Sequence, residues 1–221
     1  MYSNVIGLYG AGGFGREVMS VLDSNVHNVL HGYTSGINLL CFIDDDPNLK
    51  EIQGKKVLSS DQFFALESRN KFYNVTIANP KIRKNIVSKF ANSKAKPISL
   101  VFNKYLNLSD SIIEEGVIIM PQAIISTSVK IGKFSQINFN SYIAHDCNIE
   151  EFVTISPSVT CCGHVTIKEG AFIGAGATIR QGVAGNPRLI GIGSKLGIGS
   201  NLLTDLPDFK TYAGNPAVSI K

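Results

Sequence analysis

Ile137-Asn138-Phe139-Asn140-Ser141-Tyr142-Ile143-Ala144-His145-Asp146-Cys147-Asn148-Ile149 returns to isoleucine at every sixth residue, and it belongs to a longer series. Counting in sixes from Ile113 gives Ile119, Ile125, Ile131, Ile137, Ile143, Ile149, Ile155, Cys161, Ile167, Ile173 and Ile179, so eleven of twelve anchors are isoleucine. Two residues before an anchor stands a small or β-branched side chain, as at Val117, Ala123, Ser135, Ser141, Cys147, Val153 and Ala171. A period of six matches neither the 3.6-residue turn of a helix nor the unbroken alternation of a long strand. It suits short strands with two alternate residues turned inward, each followed by a turn. Three such sides close a triangular coil, and stacked coils bury the isoleucines as a continuous core. A sandwich of uneven strands predicts irregular spacing and is set aside. Gly132-Lys133 and Lys168-Glu169-Gly170 fall at the corners, where tight turns are needed.

The series breaks once. After Ile179 the anchors are Ile190, Leu196 and Leu202, and the break contains Gly182, Gly185, Asn186 and Pro187. These are loop formers, so a loop leaves the coil there and one further coil follows. From Asp205-Leu206-Pro207-Asp208 to Ala213-Gly214-Asn215-Pro216-Ala217 the chain departs from the repeat and is expected to cap the stack.

Upstream the pattern differs. Val5-Ile6-Gly7-Leu8-Tyr9 is a buried-strand run, Gly10-Ala11-Gly12-Gly13-Phe14-Gly15 matches G-x-G-x-x-G, and Arg16 to Leu22 reads as helix. Such glycines let a pyrophosphate approach the backbone, and the helix N-terminus offers N–H donors to it. A second strand, Leu39 to Ile43, runs into Asp44-Asp45-Asp46, whose carboxylates suit sugar or base hydroxyls and amines. The Gly32–Gly36 stretch delays them. Phe72 to Ala78 predicts a third strand, Asn79-Pro80 a helix start, Lys81 to Ala91 a helix carrying Arg83, and Ile98 to Phe102 a fourth strand. This is half a dinucleotide fold, which argues for a nucleotide handle and against hydride chemistry on NAD.

Composition narrows the classes. With 44% hydrophobic and 17% charged residues the chain is globular, and no apolar run reaches the ~20 residues of a membrane helix. The start lacks the layout of a signal peptide, so a cytoplasmic protein is expected. A net charge of +4 comes from scattered lysines and arginines, unlike the clustered cations of a nucleic-acid binder. Cys41, Cys147, Cys161 and Cys162 form no Cys-x-x-Cys and read as reduced, buried thiols. A metal site using His145 and Cys147 lacks a second ligand cluster, and no metal is expected.

A short Rossmann-like half followed by hexapeptide coils resembles the bacterial acetyltransferases of nucleotide-linked amino sugars, a group that also holds sialic acid O-acetyltransferases. The resemblance spans essentially the whole chain. It implies an α/β half-Rossmann domain over 1–104 that binds the nucleotide sugar. A left-handed parallel β-helix acetyltransferase domain over 105–221 follows. The family's hand is an exception to the usual crossover rule. Asn140 to Cys147 and the Gln181-Gly182-Val183 loop look most like N-acetyltransferases of 4-amino-4,6-dideoxyhexoses, of GDP-perosamine or dTDP-viosamine type, which serve O-antigen and other surface polysaccharides. The GDP-perosamine enzymes are the nearest comparison, and O-acetylation of a sugar is the alternative.

The family's roles pass to matching positions here. His145 corresponds to the general base, Asp146 to the acid that orients it, and Gly163 to the glycine whose N–H meets the thioester carbonyl. Asn138 matches a sugar contact. Gly10, Gly12, Gly13, Phe14, Gly15, Asp44, Asp45, Asn79 and Arg83 are the nucleotide-sugar set. Thr154, Gly163, Ala175, Gly214, Asn215 and Pro216 are the acetyl-CoA set. Many members carry a second histidine nine residues after the first; here that position is Thr154, whose hydroxyl can still donate to a carbonyl oxygen. The resemblance also implies a homotrimer that binds acetyl-CoA between neighbouring β-helices. A covalent route through Cys147 is set aside, because position 147 lies in the inward column.

Overall fold

The computed structural model describes residues 2–29, 39–102 and 110–220. Two compact units divide the chain: Met1–Ala78 with Ile82–Phe102, and Asn79–Lys81 with Asn103–Lys221. The boundary expected after residue 104, and the Gly32–Gly36 stretch, lie outside the described residues.

The first unit is built on β1 (Tyr2–Tyr9), α1 (Gly13–Val29), β2 (Leu39–Ile43), β3 (Glu51–Ile52), β4 (Lys55–Leu58), α2 (Ser60–Ala65), β5 (Ser68–Val75), α3 (Pro80–Phe90) and β6 (Lys96–Pro97). Its sheet runs β3-β4-β2-β1-β5-β6, parallel throughout except for the β3–β4 hairpin. Val5, Ile6 and Leu8 are fully buried, as the continuous apolar run of a central parallel strand requires. Since β2 and β5 flank β1, the chain reverses its direction of winding at the carboxyl ends of β1 and β5. The glycine loop leaves from that point, where open α/β sheets hold ligands. Thr76 ties it down: its N–H donates to the Tyr9 carbonyl at 2.8 Å and its hydroxyl to that of Gly10 at 2.9 Å.

Two of the expected strands differ in extent. The third strand begins at Ser68 and ends at Val75, and only Leu100–Val101 of the expected fourth strand is extended as strand. The β3–β4 hairpin, turning on Gln53 and Gly54 at φ 52° and 69°, and the short α2 went unpredicted. Elements of two to six residues are too brief for periodicity to register.

The second unit is a parallel β-helix with three faces. Ile112–Ile113, Lys130–Ile131, Asn148–Ile149, Val165–Ile167 and Arg188–Ile190 stack on the first face. The second face holds Ile118–Ile119, Gln136–Ile137, Thr154–Ile155, Phe172–Ile173 and Lys195–Leu196, and the third Ile124–Ile125, Tyr142–Ile143, Thr160–Cys161, Thr178–Ile179 and Asn201–Leu202. Each coil advances 18 residues, so that Ile131 pairs with Ile149 and Ile149 with Ile167. Both inward columns are buried as the spacing predicts, with Ile143, Ile149, Ile155, Val153 and Val159 at zero exposure. Serines in the small column also bond coil to coil: Ser135 Oγ donates to the Glu150 carbonyl at 2.7 Å and accepts from Val153 N–H at 3.0 Å.

Corners recur with the same period. Gly116, Gln122, Ser128, Phe134, Asn140, Asp146, Phe152, Ser158, His164, Gly170 and Gly176 all have φ between 54° and 72°. The break in the series is a local excursion: Ile190 pairs with Ile167, 23 residues earlier. The extra residues turn back between Val183 and Asn186, which exchange backbone hydrogen bonds of 3.1 and 2.9 Å. At the chain end Thr211–Gly214 extends the second face in parallel, and Ala217–Ser219 folds back on it antiparallel.

Candidate active site

His145 lies two residues beyond the anchor Ile143, at the corner where the third face passes to the first. Its Nδ1 is 2.7 Å from Asp146 Oδ2. The histidine side chain is 51% exposed, and its other ring nitrogen makes no hydrogen bond among the described residues. One coil on, position 145 becomes Gly163 and position 146 becomes His164. A Cβ at Gly163 would lie 2.6 Å from His145 Cε1 and 2.7 Å from Nε2, so the glycine makes room for the imidazole against the backbone. Neighbouring amides are engaged, Cys162 N–H with the Ile179 carbonyl and His164 N–H with that of His145. The Gly163 N–H makes no such bond among the described residues.

His164 was not foreseen. Its ring meets His145 edge-on with centroids 5.3 Å apart, and its Nε2 is 3.7 Å from Asp146 Oδ2. The signal was available: 164 is one 18-residue coil after 146, and both hold the left-handed corner conformation that Asp and His tolerate.

Thr154, by contrast, does not join this cluster. It sits on the second face, buried, paired with Gln136 and Phe172. Within one chain, then, the expected counterpart of a second imidazole stands apart from His145, and the imidazole beside His145 is that of His164. Asn138 and Ala175 occupy a different corner, between the second and third faces. There Ala175 accepts from Gly199 N–H at 2.8 Å, and Gly214 N–H donates to Ser200 Oγ at 3.1 Å. Gly214, Asn215 and Pro216 form the turn beside it. In one chain the candidates thus fall into two groups, with the third face between them. Above His164, Arg180, Gly182, Asn186, Arg188 and Asp205 line a cavity of ≈ 250 Å³, and Arg188 is paired with Asp205 at 2.8 Å.

Cys147 is buried, its sulfur 3.2 Å from the Cys162 carbonyl and 4.0 Å from Cys161 Sγ. The hydrogen bond from Cys161 lowers the Cys147 thiol, while that bond and burial push Cys161 well above the ordinary range. Both face the core. In the first unit, burial holds the Cys41 thiol up at about 12.

At the glycine loop the residues separate by job. Gly15 packs so closely that a Cβ would lie 1.9 Å from the Gly10 carbonyl oxygen, and Gly10 has φ 105°. Gly12 and Gly13, at the start of α1, face open space and are exposed, as an anion site requires; Phe14 is half-buried. Asp44 Oδ2 accepts from Ala11 N–H at 3.0 Å and so borders the loop. Asp45 accepts from Tyr9 Oη at 2.6 Å, Ser60 N–H at 2.7 Å and Ser60 Oγ at 2.9 Å, and lies 3.4 Å from Lys89 Nζ. Partial burial pushes its carboxyl up, but these bonds outweigh it and hold the group at about 2. Asn79 is exposed, directly before α3.

Arg83 requires a correction. It has zero exposure and donates Nη1 to the Ile77 and Ala78 carbonyls at 2.7 and 3.2 Å, and burial lowers the guanidinium to about 9. It braces the loop after β5 from within and does not face a ligand. The helical spacing of α3 turns it inward with Ile86 and Phe90. A cavity of ≈ 760 Å³ around Leu66, Ser68, Arg69 and Lys94 opens at the start of β5, the sheet end opposite the glycine loop.

Comparison with known proteins gives concordant results. The PglD N-terminal domain model matches residues 5–90. GDP-perosamine N-acetyltransferase of Escherichia coli O157:H7 is 36% identical over 99% of this chain and 97% of its own. Among solved structures, WeeI from Acinetobacter baumannii AYE superposes with a TM-score of 0.87 at 32% identity, covering 99% of this chain and 100% of that one. The acetyltransferase domain of PglB from Neisseria gonorrhoeae FA1090, in complex with acetyl coenzyme A, gives 0.82 at 25% identity, with 99% and 100% covered.

Proposed function

The chain belongs to the N-acetyltransferase family that includes the Escherichia coli GDP-perosamine enzyme, and from that premise we propose that it moves the acetyl group of acetyl-CoA directly to the 4-amino group of a nucleotide-linked 4-amino-4,6-dideoxyhexose of GDP-perosamine or dTDP-viosamine type. The observation that carries this reading is the His145–Asp146 pair at 2.7 Å, set against Gly163 with its N–H uncommitted.

The steps follow from those groups. The amine nitrogen attacks the thioester carbonyl carbon as its proton passes to the free nitrogen of His145. Asp146 keeps the other nitrogen protonated and stabilises the imidazolium that forms. The carbonyl oxygen gains negative charge, which the Gly163 N–H stabilises, a donor type whose removal typically costs ~3 kcal/mol of barrier. Collapse of the tetrahedral intermediate breaks the C–S bond, and the departing CoA sulfur receives the proton from His145. The N-terminal unit binds the nucleotide, with the pyrophosphate against Gly12 and Gly13 and Asp44 near its sugar or base.

Separation of the candidate residues onto two corners supports a homotrimer. In it, His145 of one copy and the corner of Ala175, Gly214, Asn215 and Pro216 of its neighbour form the two walls of an acetyl-CoA cleft. The product then enters cytoplasmic synthesis of a surface polysaccharide such as O-antigen. No helix among the described residues is long and apolar enough to cross a membrane.

Thiol release from acetyl-CoA with a panel of GDP-, dTDP- and UDP-linked 4-amino sugars, each beside its 4-hydroxyl analogue, tests the reading. Turnover with an amino sugar and not its analogue is expected. Faster turnover of the hydroxyl compounds would replace N- by O-acetylation.

A further inference from the structure

We propose that His145, Asp146 and His164 form a binding site for a first-row divalent cation, zinc above all, and that its occupation stops acetyl transfer. One ligand atom from each of the three residues lies within 4.8 Å of the other two. Asp146 Oδ2 sits between the rings, 2.7 Å from His145 Nδ1 and 3.7 Å from His164 Nε2. A tetrahedral zinc ion with bonds of ~2.1 Å spaces its ligand atoms about 3.4 Å apart, which the two separations bracket. The donors are two imidazole nitrogens and a carboxylate oxygen, the set that suits zinc, and three protein ligands leave a fourth position for water. Solvent reaches the cluster, since the His145 and Asp146 side chains are 51% and 44% exposed. The histidines come from consecutive coils joined by the His164 N–H bond to the His145 carbonyl at 3.1 Å. The nearby thiols of Cys147 and Cys161 are turned into the core.

Occupation and catalysis compete for the same atoms. In the free protein His145 Nδ1 and Asp146 Oδ2 stand at hydrogen-bond distance, and the cation takes the place of the hydrogen between them. A neutral imidazole that ligates a metal through one nitrogen carries its hydrogen on the other. His145 in that state cannot accept a proton from the amine. This second half of the proposal rests on His145 being the base; binding itself does not.

The full-length protein, stripped with EDTA and dialysed, is titrated with zinc chloride by calorimetry and with cobalt(II) by visible absorption. One zinc per chain and a tetrahedral cobalt spectrum are expected. His164→Asn and Asp146→Asn should each weaken zinc by more than the ~10–100-fold that loss of an outer-shell partner costs. Asparagine suits the left-handed corner backbone at both positions, and unchanged melting curves confirm folding. Cys162→Ser and a His27→Asn/His31→Asn double variant should bind as the parent does. Zinc should abolish wild-type turnover, and EDTA should restore it. Absence of binding, or binding that survives both corner substitutions, overturns the site and leaves the acetyl-transfer reading intact. Binding of zinc at this corner with undiminished turnover overturns the inhibition and counts against His145 as base.

Discussion

A methyl group at position 163 would meet the His145 ring at 2.6 Å, so Gly163→Ala is expected to turn the imidazole off its line. Misplacement of a catalytic group by about 1 Å costs on the order of 10²-fold, and the loss should fall on kcat more than on the KM for acetyl-CoA. His145→Ala should lower kcat by ~10²–10⁴ with acetyl-CoA affinity barely changed. Steady-state kinetics on both variants, with equilibrium binding of CoA, checks the pair; near-wild-type turnover by either contradicts its assignment. Asp45 makes a separate prediction. Its carboxyl sits at about 2 in the folded protein, below the ~4 of an unfolded aspartate, so its stabilisation is complete above pH ~4 and is lost as pH falls towards 2. Asp45→Asn should be less stable at neutral pH and should lose less stability between pH 4 and 2, as denaturant unfolding across that range would reveal. That Asp45 would serve the fold was not legible from Asp44-Asp45-Asp46, because its partners Tyr9 and Ser60 lie on other elements.

At the level of elements, the coil and the glycine loop behave differently towards substitution. Ser135→Ala would remove the hydroxyl that joins the Val153 N–H to the Glu150 carbonyl, and the loss of these two hydrogen bonds should cost about 1–3 kcal/mol, measurable by urea unfolding. Gly12→Val meets no neighbouring atom within 4 Å, so the fold should persist with an unchanged melting curve. The added side chain would push a pyrophosphate from the backbone, raising the KM for the sugar nucleotide and leaving that for acetyl-CoA nearly constant. An effect on acetyl-CoA alone would reverse the division of labour between the units. The columns of the β-helix and the strand–loop–helix opening were both readable, since each depends on contacts within a short window. The β3–β4 hairpin and α2 were not, because they are too short for periodicity to register, although Ser59-Ser60-Asp61-Gln62 carries a local capping box that opens α2.

Across the whole molecule, the proposed acetyl-CoA cleft predicts that two copies contribute one wall each. A His145→Ala chain and an Ala175→Trp chain should each be inactive alone, and co-expressed they should regain turnover, because some clefts then combine two intact walls. Light scattering should report a trimer. An active monomer, or mixed assemblies without activity, would place the complete site within a single chain.

Local alternation along the chain already settles the side of the backbone on which each residue stands. A period of six assigns Ile143, Cys147 and Ile149 to the core and His145 to a corner without reference to anything distant, because strand alternation and turn are local properties. The tertiary structure decided which corners and faces meet. His164 comes beside Asp146 only because a coil closes in 18 residues, Thr154 falls on another face for the same reason, and Arg83 turns inward because Ile77 and Ala78 present their carbonyls to it. The first two encounters depend on the closure of a whole coil and not on the strand alternation within it, and the third on how the loop after β5 lies against α3.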